Sequence, residues 1–423
     1  MLNGNDVARP IAIVLGGITN HIHLIDRLHK RGYYVILVDY LDDPPAKAVA
    51  DEHAQISTFD EEAIEKLAKE HSVSLIINAN LEHINAIAIR VSERLGLPVP
   101  YSAETALNVS QKSRMKRIML ESGIPTTKYV CTSTLDTCDL GELNFPLFVK
   151  PQDGSGSAGV TRVENYKSLI KAFEMAKQYS KNGEVIIEEE ALGRECNVYT
   201  YINNGKAYVL NVAERYFGTG DGTLLTQCYG TFAPAQINKT AYSTIQTIAD
   251  AIANAFQLKS CPMFMQVKVN GEQVNVIEFA CRMAGGISNQ VILNRTGFDW
   301  FDATIDAFLG NKIDVKFDDN GMFYIVSSLL SKPGIYGELK GYEELQTEGL
   351  MDKISLARKR GAVIDNNRAN AEKVGFFTVK DVTKEGALDK VAKCFNRLSL
   401  LSIDGEEMLR KDTYIKQGTL ELD

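Results

Sequence analysis

Three short runs carry no charged side chain: Ile11-Ala12-Ile13-Val14-Leu15, Tyr34-Val35-Ile36-Leu37-Val38 and Leu75-Ile76-Ile77. Between them lie stretches of helical period, one through Ile22, Leu24, Ile25 and Leu28 and another near residues 61 to 70. Strands that are apolar on both faces must be covered on both faces, and the alternation supplies the helices to do it. Residues 11 to 100 therefore predict a parallel, doubly wound sheet. Gly16-Gly17 ends the first strand and Asp39 the second. Asp39 stands about where a dinucleotide-binding fold keeps its ribose acid, roughly twenty residues on. The glycine fingerprint is missing, since Ile18, Thr19 and Asn20 follow Gly17. Asp39 is read as packing or as lining for a cleft at the strand ends.

A chain of 423 residues exceeds one hydrophobic core, so further domains follow. A net charge of −8 argues against a general nucleic-acid footprint. No apolar run is long enough to span a bilayer and no leader pattern opens the chain, so no membrane is expected and the cytoplasm is the expected location. The seven cysteines are scattered without a Cys-x-x-Cys pair and read as reduced thiols. All six histidines lie between His21 and His83. Chemistry in the later three quarters must do without a histidine base or ligand, which argues against Ser-His triads and zinc sites.

The segment from Pro146 to Val163 carries the first chemical signal. Phe148-Val149 reads as a strand ending at Lys150, followed by a loop with Gly154, Ser155, Gly156, Ser157 and Gly159 before a strand at 160 to 163. Glycines let backbone N–H groups turn toward an anion, so the loop is suited to closing over phosphates as a hairpin tip. Upstream, residues 111 to 123 read as a helix with Met115, Ile118 and Met119 on one face, stopped by Gly123 and Pro125. Lys112 at its start is a second candidate for phosphate; its other basic residues read as a solvated face. Downstream come a helix from about Tyr166 to Tyr179 and an apolar strand, Val185-Ile186-Ile187. The strand runs into Glu188, Glu189 and Glu190, with Ala191 and Glu195 beyond.

Residues 262 to 282 read as a hairpin around Asn270-Gly271. Alternation puts Glu278, Ala280 and Arg282 on one face, a carboxylate and a guanidinium suited to a metal–phosphate centre. A two-residue Asn-Gly turn would pair Val269 with Glu272 and put Gln266 on the opposite face. A three-residue turn with Gly271 left-handed would pair Val269 with Gln273 and bring Gln266 and Glu278 to one side, about 7 Å apart diagonally. The second register, or an equivalent bulge, is expected.

Lys112, Lys150 with its glycine loop, the glutamate-rich strand end with Gly193-x-Glu195, and Glu278 to Arg282 with Gly285-Gly286 behind them resemble the ATP-grasp superfamily in order and kind. The resemblance runs from about residue 10 to at least residue 310. Tyr229 to Ala235, Glu278 to Gly286 and Thr296 to Asp299 make it most similar to the amino-acid ligase branch, near the biotin-carboxylase and carbamoyl-phosphate-synthase lineages. It implies an α/β and α+β chain in four parts: an N-terminal Rossmann-like pre-ATP-grasp domain (1–110), a small lid subdomain (111–184), a large subdomain with the metal site (185–330) and a strand-rich C-terminal cap (331–423).

The resemblance also implies site roles. Lys112, Lys150 and the loop at Gly154, Ser155, Gly156 and Ser157 would hold the phosphates of ATP. Backbone groups of Glu189, Glu190 and Ala191 would hold adenine, with Glu188 against its amino group and Glu195 on the ribose. Gln266 and Glu278 would bind Mg²⁺, with Mn²⁺ able to substitute, and Arg282 would lie beside the γ-phosphate. The implied reaction joins a small carboxylate, an amino acid on at least one side, to an amine through an acyl phosphate. A homodimer is the implied assembly. Two departures stand out: Ala280 where an asparagine is usual and the neutral Gln266 where an acid is usual. Glu214, Arg215, Tyr216 and the stretch from Thr223 to Ala235 are candidates for the substrate wall. The rival readings are a bicarbonate-activating carboxylase or carbamoyl-phosphate-type subunit, and a nucleotide-binding regulator with decayed catalysis.

Overall fold

The computed structural model describes residues 9–135, 140–154, 158–218, 227–365 and 371–416. Ser155, Gly156 and Ser157, and part of the stretch from Thr223, lie outside the described residues. The N-terminal unit is a parallel sheet in the order Glu52–Ala54, Tyr34–Val38, Ile11–Leu15, Leu75–Ile77. Helices Thr19–Lys30, Glu61–Glu70 and Glu82–Arg94 pack on it and bury residues such as Leu24, Ile64 and Ile87. Asp39 does structural work at the strand end: its carboxylate accepts the Gly17 N–H at 2.7 Å and the Leu41 N–H at 2.9 Å. A Cβ on Gly17 would come within 2.4 Å of Pro44, so that turn admits only glycine.

The second unit is a four-stranded antiparallel sheet, in the order Tyr129–Thr132, Val185–Glu189, Leu147–Pro151, Thr161–Val163, backed by helix Tyr166–Tyr179. Leu147, Val149, Val163, Phe173, Val185 and Ile187 form its own core. Strand Val185–Glu189, expected to open the large subdomain, lies inside this small sheet. Its apolar run needs strands on both sides, which Leu147–Pro151 and Tyr129–Thr132 provide.

The third unit is an eight-stranded antiparallel sheet: Gln273–Ala280, Ser260–Asn270, Arg194–Asn203, Lys206–Phe217, Cys228–Ala233, Phe323–Leu330, Lys373–Asp381, Lys353–Leu356. Helix Lys239–Ala255 covers one face with Ala241, Ile245, Ile248 and Ile252. The C-terminal stretch, expected as a separate cap, contributes the last two strands of this sheet. It adds a small sheet of Val363–Ile364, Gly334–Lys340 and Ser399–Ser402, with helix Lys384–Arg397 packed behind.

The hairpin takes the bulge alternative, which brings Gln266 and Glu278 to one side. The turn is two residues, Gly271-Glu272, with Gly271 left-handed (φ +59°), and Asn270 pairs with Gln273. A bulge then shifts the pairing: Val267 faces Val276, but Gln266 faces Glu278. The extra residue, Ile277, turns Glu278 to the side of Gln266. Gln266 and Glu278 thus become direct cross-strand neighbours rather than diagonal ones. No helix among the described residues is long and apolar enough to cross a membrane.

Candidate active site

The site lies on the face of the large sheet that carries Asn197 and Gln266, the face that Trp300 and Phe298 cover further along at Tyr199 and Tyr201. On strand Leu147–Pro151, Leu147 and Val149 turn into the small core, so Lys150 turns out toward the cleft. Glu188 does the same on the neighbouring strand. Lys150 Nζ donates to Glu188 at 2.5 Å, and Lys116 Nζ reaches the other carboxylate oxygen at 2.8 Å. Thr127 adds its hydroxyl to Glu188 at 3.0 Å, and Lys116 also donates to the hydroxyls of Thr126 and Thr127. Burial pushes the Glu188 carboxyl up, but Lys116 and Lys150 outweigh it and hold the group down at about 2. A charge buried this deeply needs such partners. In this structure Glu188 is therefore engaged by two lysines, where contact with an adenine amino group was expected.

Lys112 opens helix Lys112–Glu121 and donates to the Gly154 carbonyl at 2.6 Å, tying the helix start to the glycine loop. On the large sheet, Gln266 pairs with Glu278 on one side and with Asn197 on the other. Burial pushes the Glu278 carboxyl up, and the charges of Lys112, Lys150 and Arg282 more than reverse this, leaving it below the usual carboxylate range. Those three cations therefore act on Glu278 through their charge. The Arg282 guanidinium donates to the Met283 carbonyl at 3.0 Å and lies 3.9 Å from Glu82 on the N-terminal unit. Burial raises the Glu82 carboxyl to about 7, although Arg282 and Lys112 oppose the shift. The N-terminal unit is locked to this region by the Met283 N–H to Ala79 and by Asn80 to the Ala284 carbonyl.

The cleft face carries buried polar atoms without partners among the described residues: Asn197 Oδ1, Asn211 Nδ2, Arg215 Nε and Arg282 Nε. Buried polar groups are rarely left so, and a row of them on one sheet face is what a ligand would satisfy. No group of three His, Cys, Asp or Glu that could hold a metal occurs among the described residues. Glu278 with Gln266 instead suits an ion that takes few protein oxygens and completes its shell from phosphates and water, as Mg²⁺ does. Ala280, buried opposite Phe264, adds no ligand.

Lys112, Lys150, Glu188, Gln266, Glu278 and Arg282 come together as expected by sequence. Three neighbours do not join them. Glu189 accepts from Asn144, and its N–H goes to Lys128; Glu190 pairs with Arg162, and its N–H goes to Pro146. Those two N–H groups close the small sheet, so of the expected adenine contacts Ala191 is the one outside these bonds. Glu195 is held by Arg215 and by Lys268, the latter at 3.5 Å. Of the candidate wall residues, Arg215 faces the cleft, whereas Glu214 turns to the opposite face and pairs with Arg194 at 3.4 Å. Two groups escaped the sequence reading. Lys116 lies on the stripe Lys112, Met115, Lys116, Met119, whose period places it inward. Glu82 arrives from another domain and carries no local signal.

Two antiparallel units meet at a cation-lined cleft, and part of the chain that builds them matches a known domain. Residues 143–290 match the ATP-grasp domain, so the chain carries an ATP-grasp domain. An L-arginine-specific L-amino acid ligase of Bacillus subtilis is 23% identical over 277 residues, covering 63% of this chain and 66% of that protein. A phosphoribosylamine–glycine ligase of Lactococcus lactis is 26% identical over 225 residues, 50% of this chain and 53% of that one. The chain thus matches between half and two thirds of the length of these relatives. In fold it is similar to an L-amino acid ligase from Bacillus licheniformis, with a TM-score of 0.79 at 18% identity over 94% of this chain and 100% of the other. It is also similar to N5-carboxyaminoimidazole ribonucleotide synthetase from Thermotoga maritima, with a TM-score of 0.73 at 24% identity over 93% and 99%.

Proposed function

We propose that this protein is an ATP- and Mg²⁺-dependent, ADP-forming ligase that joins a carboxylate to an amine, an amino acid on at least one side, through an acyl phosphate. The observation that carries the reading is Gln266 in direct register with Glu278 on the large sheet. Lys150 and Lys112 are held by Glu188 and Gly154 on the small unit, and their charges favour the ionised Glu278. The ligase names of the sequence relatives support it. Phosphoryl transfer asks chiefly for positioning and for positive charge around the γ-phosphate oxygens. Lys112 and Lys150 hold the phosphates, and Lys112 also positions the glycine loop through Gly154. Glu278 and Gln266 would hold Mg²⁺, which when bound would supply positive charge against the phosphates.

A substrate carboxylate oxygen attacks the γ-phosphorus as the bond to the ADP oxygen breaks, giving the acyl phosphate. The deprotonated amine then attacks the acyl carbon and phosphate leaves with the bonding pair. Arg282 stabilises the oxyanion of that second step. Glu188 keeps Lys116 and Lys150 in place in the absence of nucleotide. The test is ADP and phosphate release with Mg²⁺-ATP and a full amino-acid pool, followed by single omissions. Release that depends on particular amino acids supports the reading, and release that responds to none of them, or only to bicarbonate, overturns it.

A further inference from the structure

Helix Ser288–Thr296 has two faces with different neighbours. At about 100° per residue, Ser288, Val291 and Ile292 fall on one side and Asn289, Gln290 and Leu293 on the other. The first side meets the large sheet, where Ser288 Oγ lies 3.3 Å from the Tyr199 hydroxyl. The second lines a cavity of about 250 Å³ that no step of the proposed chemistry uses. Helix Thr19–Lys30 closes the cavity with His23 and Arg27, and helix Trp300–Phe308 with Trp300 and Phe301. Strand Lys353–Leu356 adds the exposed Lys353.

Two buried donors in this wall are left without acceptors. Asn289 is 6% exposed, and its side-chain amide has no hydrogen-bond partner among the described residues. Trp300 is 1% exposed, and its indole N–H is unpaired as well. Unmade bonds at buried polar groups cost free energy, so two of them beside open space fit a ligand that brings acceptors. The charge agrees. Arg27 is matched by Asp299 at 2.7 Å and lies 5.2 Å over the Phe301 ring. Burial and the Arg27 charge push the His23 imidazole down against Asp26 and Asp299, and its Nε2 accepts from Gln290 Nε2 at 3.1 Å. Asp352, beside Lys353 in sequence, pairs with Lys380 at 2.6 Å. Lys353 has no carboxylate in ion-pair reach among the described residues, so the lining carries one positive charge in excess.

We propose that this cavity binds a small organic carboxylate with an apolar body. The Asn289 amide, the Trp300 N–H and the Lys353 ammonium are its polar contacts, and Leu293 and the Phe301 ring its apolar ones. The volume lies below the roughly 300–1,000 Å³ of pockets for drug-sized ligands, which sets the occupant at the size of an amino acid or an oxo acid. None of these residues belongs to the cleft built on Glu278, so the site stands or falls apart from the ligase reading.

Trp300 is the one tryptophan of the chain, so its fluorescence reads the cavity wall directly. The experiment titrates hexanoate, and its uncharged counterpart hexanamide, into the full chain with and without saturating Mg²⁺-ADP. Wild type should show a saturable change in Trp300 emission with hexanoate. Hexanamide should bind about 10-fold more weakly, as loss of a charge-assisted hydrogen bond predicts. Lys353→Met, which alters an exposed side chain, should weaken hexanoate by about the same factor, and Asn289→Leu should do so through the buried amide. Mg²⁺-ADP should leave the hexanoate affinity within about 2-fold, as sites without shared partners behave. No saturable change, equal binding of acid and amide, displacement by Mg²⁺-ADP, or an affinity unaltered in Lys353→Met would overturn the site.

Discussion

The N-terminal parallel sheet and the cleft between the two antiparallel sheets both bury ionisable groups, and they handle them in opposite ways. In the parallel sheet, His21 is buried and held neutral, its imidazole lowered to about 4 by loss of water. Asp39 is fixed by two backbone N–H groups that shape its own turn. In the cleft, Glu188 stays ionised between two buried lysines, and Glu278 stays ionised through the charges of three cations. Charge in the first region serves the chain itself. In the second it is arranged around a gap, with orphaned polar atoms of Asn197, Arg215 and Arg282 turned to the same side. A neutralised buried group reports folding, and a buried charge kept ionised beside unsatisfied neighbours reports a site.

The comparison can be broken at several points. Glu278→Ala and Lys150→Ala should each cut amino-acid-dependent ADP release by about 10³-fold, the first by removing the proposed metal carboxylate and the second a cation beside the phosphates. Lys150→Ala also leaves Glu188 with one lysine and should lower stability, so its rate is normalised to folded protein. Asp39→Asn should leave that rate within a few-fold, and steady-state kinetics on all three variants checks the contrast. Lys116→Met leaves Glu188 buried with one lysine and should destabilise the protein by roughly 3–5 kcal/mol. Adding Glu188→Gln should recover part of that, as denaturant midpoints would show.

The pH dependence separates the two regions further. Glu188 titrates below its unfolded value, so its contribution is full above the ordinary carboxylate range and is lost as pH falls toward about 2. His21 is also depressed, but as a base. Its contribution is full above about 6.5 and fades as pH falls toward about 4, worth roughly 3 kcal/mol in total. His21→Gln should flatten unfolding free energy between those two pH values and leave the acid limb below them. The smallest effect is expected at Asp39→Ala, about 2 kcal/mol for the hydrogen bonds its carboxylate accepts from Gly17 and Leu41.

What the sequence made legible was local. Helices Glu61–Glu70 and Tyr166–Tyr179 have the caps Asp60 and Asn165 and clear apolar stripes, and their limits follow from those residues. Lys112, Lys150, Glu278 and Arg282 stand beside turns and strand ends that short-range pattern identifies. What stayed hidden depends on pairing across long separations. No residue near Val185 says that its strand joins Leu147–Pro151, and the bulge at Ile277 depends on two neighbouring strands at once. Lys116 reads as solvated until the small sheet closes over it and supplies Glu188. Glu82 meets Arg282 only when the N-terminal unit docks, a contact 200 residues long in sequence.

The measurement that tests the central claim most directly follows the oxygen. A substrate amino acid labelled with ¹⁸O in its reacting carboxyl is turned over with unlabelled Mg²⁺-ATP, and the released phosphate is analysed by mass. The acyl-phosphate route transfers one labelled oxygen to each phosphate, because the carboxylate oxygen that attacks the γ-phosphorus departs with it. Phosphate free of label, released in step with amide formation, would contradict the account.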